Sequence, residues 1–127
     1  MDILLVDDDL AYAETMWEAL HHRGYTIYRA ADGWEACRVL GDVAVDVIIS
    51  DIHMPNMNGL KLHAWVRGNQ HIANTKFIFL TSYANDFIDA LHLDPLRDFV
   101  LEKTMTPDQV VRFVDRLVFG TFAEVWR

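Results

Sequence analysis

Short apolar segments alternate along the chain with segments in which apolar residues recur at helical spacing. The short segments are rich in β-branched and aromatic side chains, which is typical of buried strands. They occupy residues 3–6, 25–30, 45–50, 77–80 and 99–101. The pattern therefore predicts five strands.

Each predicted strand is followed by a segment with a helical stripe of apolar residues. The stripes are formed by Ala13, Met16, Trp17 and Leu20, by Ala36, Cys37 and Leu40, by Leu62, Trp65 and Val66, by Phe87, Ile88 and Leu91, and by Val110, Val111, Val114, Leu117 and Val118. The last helix has a predicted capping box, with Thr106 as N-cap, Pro107 at the first position and Gln109 as partner. Five strands alternating with five helices predict an α/β fold, a doubly wound (βα)5 domain with a five-stranded parallel sheet.

Chemically reactive side chains follow four of the predicted strands. Aspartates occupy residues 7–9 after the first strand, Asp51 follows the third, Thr81 the fourth and Lys103 the fifth. We interpret Asp9 as the N-cap of the first helix. Because ligands of such sheets bind at the carboxyl ends of the strands, the other residues are expected to meet at one edge of the sheet.

A site of this kind has the groups that phosphoryl transfer to a carboxylate requires. Clustered carboxylates repel one another, and Mg²⁺, which prefers oxygen ligands, relieves that repulsion. A carboxylate can also act as a nucleophile and form an aspartyl phosphate. Asp7, Asp8, Asp51, Thr81 and Lys103 therefore form the candidate site, because they supply carboxylates, a hydroxyl and an ammonium.

The composition narrows the classes of partner. The formal net charge of −8 disfavours direct binding to nucleic acid or to an anionic membrane. No apolar run is long enough to cross a bilayer, and no signal segment is recognisable. The single cysteine excludes an intramolecular disulfide, and a cytoplasmic setting is the simplest interpretation. The six histidines do not have the spacing of a zinc motif.

Four segments, residues 3–9, 47–59, 77–82 and 101–103, resemble the signature segments of response-regulator receiver domains, the CheY-like proteins of two-component signalling. The most specific of them is Asp-x-x-Met-Pro-x-x-x-Gly at residues 51–59. The resemblance implies the flavodoxin-like receiver fold over residues 1–120. Residues 121–127 would then be a C-terminal tail or the start of a linker.

The resemblance implies that Asp51 is the phosphoacceptor. It would accept a phosphoryl group, with the help of Mg²⁺, from a sensor histidine kinase or a phosphotransfer protein. Asp8 and Asp51 would bind Mg²⁺ directly, together with the backbone carbonyl of His53. Asp7 would act mainly through a metal-bound water.

The resemblance also implies a switch. Lys103 would contact the phosphoryl group and Thr81 would move toward it, which would change the face made by the fourth helix, the fifth strand and the fifth helix. That face would control a protein partner or a missing output domain. Such a domain is a signalling module and not an enzyme beyond its own phosphorylation and dephosphorylation. The sequence leaves open whether the chain forms a homodimer.

Several positions depart from the family pattern or lie near the acceptor. Thr104 stands where a proline after a cis bond is usual, and we expect a trans bond because a non-proline cis bond costs about 2.5–4 kcal/mol. Val100 occupies the usual position of a switch aromatic, while Phe99 should point to the opposite face of the strand. His53, Tyr83 and Val100 are therefore candidate modulators of the switch or of phosphoryl lifetime.

Three other functions fit parts of the sequence. A receiver-like module could bind partners without phosphorylation. A phosphatase of the haloacid dehalogenase type would also use an aspartate nucleophile, but it needs an aspartate two residues later, where His53 stands. A flavin or nucleotide binder could share the fold, but the chain has neither a G-x-G-x-x-G motif nor a P-loop.

Overall fold

The computed structural model describes residues 1–82 and 93–119. The strands are β1 (Asp2–Val6), β2 (Thr26–Ala30), β3 (Val47–Ser50), β4 (Lys76–Thr81) and β5 (Asp98–Glu102). The helices are α1 (Leu10–His22), α2 (Gly33–Asp42), α3 (Gly59–Arg67) and the C-terminal helix (Pro107–Phe119). The helix predicted around residues 87–91, Tyr83 and the segment 121–127 lie outside the described residues.

The five strands form one parallel sheet in the order β2-β1-β3-β4-β5. This confirms the predicted doubly wound α/β fold. The chain runs from β1 outward to β2 and then returns to the other side of β1 as β3, so the strand order reverses between β1 and β3. Val6 pairs with Ala30 on one side and with Ser50 on the other, so the carboxyl ends of these three strands are level.

The sheet is buried on both faces because successive residues of each strand point to opposite sides. One face packs on α1 and the C-terminal helix, and its buried strand residues are Ile3, Leu5, Val47, Ile49, Ile78 and Leu80. The other face packs on α2 and α3, and its buried strand residues are Leu4, Val6, Ala30, Ile48, Phe77 and Phe79. These continuous apolar strands are those expected of a parallel sheet covered by helices.

Two strands begin later than the apolar pattern predicts. Strand β2 begins at Thr26, because the Tyr25 N–H takes part in the turn after α1, where it donates to the Leu20 carbonyl (3.4 Å). Gly24 makes that turn with a φ of 95°, which is favourable for glycine. Strand β3 begins at Val47, the residue opposite Ile3 of β1, two residues later than predicted.

The helix caps agree with the sequence. The Asp9 side chain accepts a hydrogen bond from the Tyr12 N–H (3.1 Å) and caps α1. Thr106 and Gln109 form the reciprocal capping box, since each side chain accepts from the other's backbone N–H (3.2 and 2.9 Å). None of the described helices is both long and apolar enough to cross a membrane.

Candidate functional site

Backbone pairing brings the predicted residues to the carboxyl edge of the sheet. The Asp51 N–H donates to the carbonyl of Val6 at the end of β1 (2.9 Å), which continues the β1–β3 pairing one residue past β3. The Lys103 N–H donates to the Thr81 carbonyl (3.0 Å) and extends the β4–β5 pairing in the same way. Residues that are far apart in the sequence therefore meet because the strands end together.

Three carboxylates converge at this edge, as predicted. One ligand oxygen from each of Asp7, Asp8 and Asp51 lies within 4.8 Å of the other two. Asp7 and Asp51 are 3% and 9% exposed, whereas Asp8 is exposed to solvent. The cluster therefore has a buried floor and one open side, from which an ion or a phosphoryl donor can approach.

Lys103 places its ammonium between the two buried carboxylates. Its Nζ atom lies 2.9 Å from Asp7 Oδ2 and 3.1 Å from Asp51 Oδ2. Burial acts to lower the pKa of this ammonium, but the hydrogen bonds and charges of Asp7 and Asp51 outweigh it and raise the pKa. Lys103 is therefore a permanent positive charge in the site.

One ammonium does not fully compensate these carboxylates. Burial raises the pKa of Asp7 above its ordinary value, and the charge of Asp51 adds to that effect. The Asp9 N–H, which donates to Asp7 Oδ1 (2.9 Å), and Lys103 act in the opposite direction without reversing it. The charge of Asp51 thus acts on both groups, since it adds to the effect of burial on Asp7 and helps to raise the pKa of Lys103. Three carboxylates and one ammonium leave the site with an excess of negative charge.

The donor set fits a hard divalent cation. All three clustered side chains offer carboxylate oxygen, the ligand that Mg²⁺ prefers, and one of them opens to water, which Mg²⁺ retains in part. A cation would also relieve the excess negative charge. Asp7, Asp8 and Asp51 are therefore the side chains that would hold it, and the role of the His53 carbonyl stays a prediction.

Glycine is required where the segment after Asp51 turns into α3. A Cβ atom at Gly59 would collide with the backbone carbonyl oxygen of Asp51. The Gly59 N–H donates to the Ile52 carbonyl (2.9 Å) and closes the loop between them. The final glycine of the 51–59 motif is thus explained by close packing against the backbone of Asp51 itself.

The same loop is fastened to the start of α2. Asn56 has a φ of 66°, a conformation that asparagine tolerates, and its Nδ2 donates to Asp32 Oδ2 (2.7 Å). Asp32 is also the N-cap of α2, and the Gly33 N–H donates to the Met57 carbonyl (2.9 Å). The loop that holds His53 is therefore supported from α2 as well as from β3.

The remaining predicted residues take distinct positions. Thr81 is fully buried at the end of β4, and His53 is exposed in the loop after Asp51. Val100 packs on the α2–α3 side of the sheet, while Phe99 packs on the other side, 5.6 Å from the ring of Phe113, so the predicted opposite facing is confirmed.

The bond between Lys103 and Thr104 is trans, as predicted, since the described residues contain no cis peptide. The modulating roles of His53 and Val100 stay predictions. Tyr83, the third candidate modulator, lies outside the described residues.

Sequence reasoning missed Tyr12, a residue of the first turn of α1. Its ring lies beneath the ammonium of Lys103, with the Nζ atom 4.7 Å from the ring centroid. The sequence does place Tyr12 one turn after the aspartates of residues 7–9. Its contact with Lys103, however, depends on how α1 packs on the sheet, which no local pattern specifies.

Comparison with known proteins gives a family for the chain. The family model described as the response regulator receiver domain matches residues 3–115. The chain is 38% identical over 86 residues to the sensor kinase CckA of Brucella abortus, covering 66% of this chain and 9% of that protein. It is 31% identical over 108 residues to the aerobic respiration control protein ArcA of Escherichia coli K12, covering 85% and 44%. The chain thus spans less than half the length of these two relatives.

Solved structures agree with that family. A receiver domain of a signal transduction histidine kinase from Syntrophus aciditrophicus has a TM-score of 0.84 and 29% identity, covering 95% of this chain and 92% of that one. The chemotaxis response regulator CheY4 of Vibrio cholerae has a TM-score of 0.79 and 28% identity, covering 91% and 97%. TrrA of Thermotoga maritima, solved in complex with Mg²⁺-BeF, has a TM-score of 0.77 and 29% identity, covering 91% and 97%.

Proposed function

This chain belongs to the response regulator receiver domain family, and on that premise we propose that it is a phosphorylatable switch whose acceptor is Asp51. The observation that carries the proposal is the position of the Lys103 ammonium, 3.1 Å from Asp51 Oδ2, within a cluster that also contains Asp7 and Asp8. Asp51 thus combines a nucleophilic oxygen, a neighbouring cation and a place for a metal ion. Receiver domains are signalling modules that accept a phosphoryl group, so the geometry agrees with the family.

The proposed reaction is an in-line displacement at phosphorus. A carboxylate oxygen of Asp51 forms the new O–P bond while the N–P bond of a phosphohistidine donor breaks, and the electron pair of that bond stays on the imidazole. Lys103 offsets the negative charge on the phosphoryl oxygens, and this charge neutralisation together with positioning is the main requirement of phosphoryl transfer. Mg²⁺, when bound, supplies further positive charge beside the transferred group.

The proposed donor is a sensor histidine kinase or a phosphotransfer protein. Histidine kinases phosphorylate receiver domains in general, and the relative from Brucella abortus is itself described as a sensor kinase. The open side of the site, at the exposed Asp8, leaves room for a donor side chain to approach.

In the proposed switch, Thr81 and Lys103 transmit the effect of phosphorylation to β5 at the edge of the sheet. The Thr81 hydroxyl would donate a hydrogen bond to the new phosphoryl group. The Thr81 carbonyl already accepts a hydrogen bond from the Lys103 N–H. Lys103 follows β5 directly, and β5 packs on the C-terminal helix through Phe99 and Phe113. A change at Thr81 would therefore reach the face formed by β5 and the C-terminal helix, where we expect a protein partner or an output domain to respond.

Phosphorylation by acetyl phosphate tests the proposal. With Mg²⁺ present, the intact mass of the parent should increase by one phosphoryl group, and excess EDTA should prevent the increase. Asp51→Asn should gain nothing, while Asp42→Asn, which removes an exposed carboxylate elsewhere, should behave as the parent. An equal gain in Asp51→Asn would contradict the proposal.

A second reagent covers the case in which acetyl phosphate is a poor donor. Mg²⁺ with beryllofluoride, the combination present in the TrrA structure, should shift the amide NMR signals of Thr81 and Lys103 in the parent and not in Asp51→Asn. If neither reagent changes the parent, a module that binds partners without phosphorylation becomes the better account. Steady hydrolysis of a generic phosphate ester would instead favour the phosphatase.

A further inference from the structure

Tyr12 is held close to the candidate acceptor by the acidic turn itself. Asp9 accepts from the Tyr12 N–H (3.1 Å), and the Asp9 N–H donates to Asp7 Oδ1 (2.9 Å). These two bonds join the backbone of Tyr12 to one of the two carboxylates that pair with Lys103. The position of Tyr12 relative to the site is therefore fixed by the same turn that supplies the aspartates.

The ring of Tyr12 is directed at Lys103 and not at a hydrogen-bond partner. The Lys103 Nζ atom lies 4.7 Å from the ring centroid, within the usual range of a cation–π contact. The Tyr12 hydroxyl oxygen is removed from solvent and has no hydrogen-bond partner among the described residues. Leaving a buried hydroxyl unpaired is unfavourable, so a hydrogen bond does not explain why a tyrosine is placed here.

The ring is also neutral in this position. Burial raises the pKa of the Tyr12 hydroxyl to about 12, against the lowering effect of the Lys103 charge, and the nearby carboxylates add to the rise. The side chain therefore stays a phenol, and its interaction with the ammonium is that of a neutral aromatic face with a cation.

Lys103 has three contacts at the site, and phosphorylation would affect them unequally. The contact with Asp51 Oδ2 changes when that carboxylate becomes an acyl phosphate, because the negative charge then lies on the phosphoryl oxygens. The contact with Asp7 depends on a carboxylate that a metal ion would also use. The contact with the Tyr12 ring does not depend on the charge of any carboxylate.

We propose that the ring of Tyr12 is a positioning residue for Lys103. It provides a face on which the ammonium stays directed at Asp51 while the carboxylate partners of Lys103 change. This inference rests on the proposed role of Asp51 as phosphoacceptor. It assigns a part in phosphorylation to the first turn of α1, which follows the aspartates of residues 7–9.

Three variants separate the ring from the hydroxyl and from simple packing. Tyr12→Phe keeps the aromatic face, and its initial rate of phosphorylation by acetyl phosphate and Mg²⁺ should stay within about twofold of the parent. Tyr12→Leu removes the face and should lower that rate about three- to tenfold, the range expected for losing a cation–π contact. Tyr12→Met is a second ringless variant, for use if Tyr12→Leu does not fold. Tyr28→Leu, a partly buried tyrosine on the α2–α3 side of the sheet, is the matched control and should keep the parent rate.

NMR of the Lys103 side chain tests the contact without any phosphoryl donor. The ring should shift the ε-methylene protons of Lys103 upfield in the parent and in Tyr12→Phe, and the ringless variants should lose that shift. The inference would be overturned if the ringless variants were phosphorylated at the parent rate, or if Tyr12→Phe were phosphorylated as slowly as they are expected to be. The absence of an upfield shift in the parent would also overturn it. If the parent shows the shift but never becomes phosphorylated, the proposed function fails and the ring contact stands.

Discussion

The two ends of the sheet both bury carboxylates beside cations, but they balance the charges in opposite ways. At the amino end of β5, Asp98 is 6% exposed and lies with His63 and Arg67 in a group that we call the basal cluster. Asp98 Oδ1 contacts His63 Nε2 (2.9 Å) and Arg67 (2.5 Å), and its Oδ2 accepts from the Asp94 N–H (2.8 Å). At the carboxyl end, Lys103 pairs with two members of a cluster of three carboxylates.

The pKa values of the two aspartates record this difference. Burial alone would raise the pKa of Asp98, but the Asp94 amide, Arg67 and His63 outweigh it and hold the pKa below its ordinary value. Burial raises the pKa of Asp7, and its partners do not reverse the effect. The charge of Asp98 is therefore balanced within the basal cluster, whereas three carboxylates share one ammonium at the carboxyl-end site. This contrast is what we expect between a structural ion cluster and the proposed site for a cation and a phosphoryl group.

The largest expected effect comes from breaking the basal cluster. Asp98→Ala should lower the free energy of unfolding by about 3–5 kcal/mol, because it leaves the buried charge of Arg67 without its carboxylate. Urea denaturation followed by circular dichroism measures this change. Asp8→Ala, at the exposed edge of the other site, is the control and should cost much less. Equal losses in the two variants would remove the distinction between the ends.

The next largest expected effect is the stabilisation of the fold by Mg²⁺, which should bind at the carboxyl-end site and not at the basal cluster. At a free concentration about 100 times its dissociation constant, it should raise the free energy of unfolding by about 2.7 kcal/mol, since it binds the folded state. Thermal or urea unfolding with Mg²⁺ and with EDTA measures this shift. The double variant Asp7→Asn and Asp8→Asn should lose the response, while Asp98→Asn should keep it. A response that survives in the double variant would place the ion elsewhere.

Removing one carboxylate of the carboxyl-end cluster should give a smaller increase in the free energy of unfolding. Without metal, Asp7→Asn should raise the free energy of unfolding by about 1 kcal/mol, the size of the repulsion between two unit charges about 4 Å apart in water-like surroundings. Lys103 keeps Asp51 as its partner in this variant. Unfolding in EDTA checks the sign, and a clear loss of stability would show that Lys103 already neutralises the site.

The smallest expected effect is a pH dependence of the free energy of unfolding that comes from Asp98 of the basal cluster. Because the folded-state pKa of Asp98 is lowered, its contribution to stability is present above its ordinary pKa of 3.8 and is lost as the pH falls below that value. The stability difference between the parent and Asp98→Asn should therefore shrink as the pH falls below about 4. A difference that does not shrink below that pH would contradict the assignment to Asp98.

The sequence predicts most of the sheet and its carboxyl edge, because both follow from local signals. Apolar runs predict the strands, and a parallel sheet brings whatever follows those strands to one edge, which is how Asp7, Asp51 and Lys103 were found. Small errors remain at the starts of β2 and β3, where an apolar residue such as Tyr25 closes a helix instead of pairing in the sheet.

The contacts that the sequence does not predict are those between side chains of distant elements. His63 appears in the sequence as one of several scattered histidines, and only the packing of α3 against the start of β5 brings it to Asp98, 35 residues away. The contact of Tyr12 with Lys103 likewise depends on the docking of α1. Neither pair has a spacing or a motif, because each is set by the tertiary packing of helices on the sheet.

Chemical mapping of the phosphorylated residue tests the central claim most directly. Treatment of the acetyl phosphate-labelled protein with borohydride reduces an aspartyl phosphate to homoserine, and mass spectrometry of the peptides then locates it. The account predicts homoserine at residue 51 in the parent, formed only with Mg²⁺, and none at residues 7, 8 or 98. Homoserine at another aspartate, or its appearance at residue 51 at the same level in EDTA, would contradict the account.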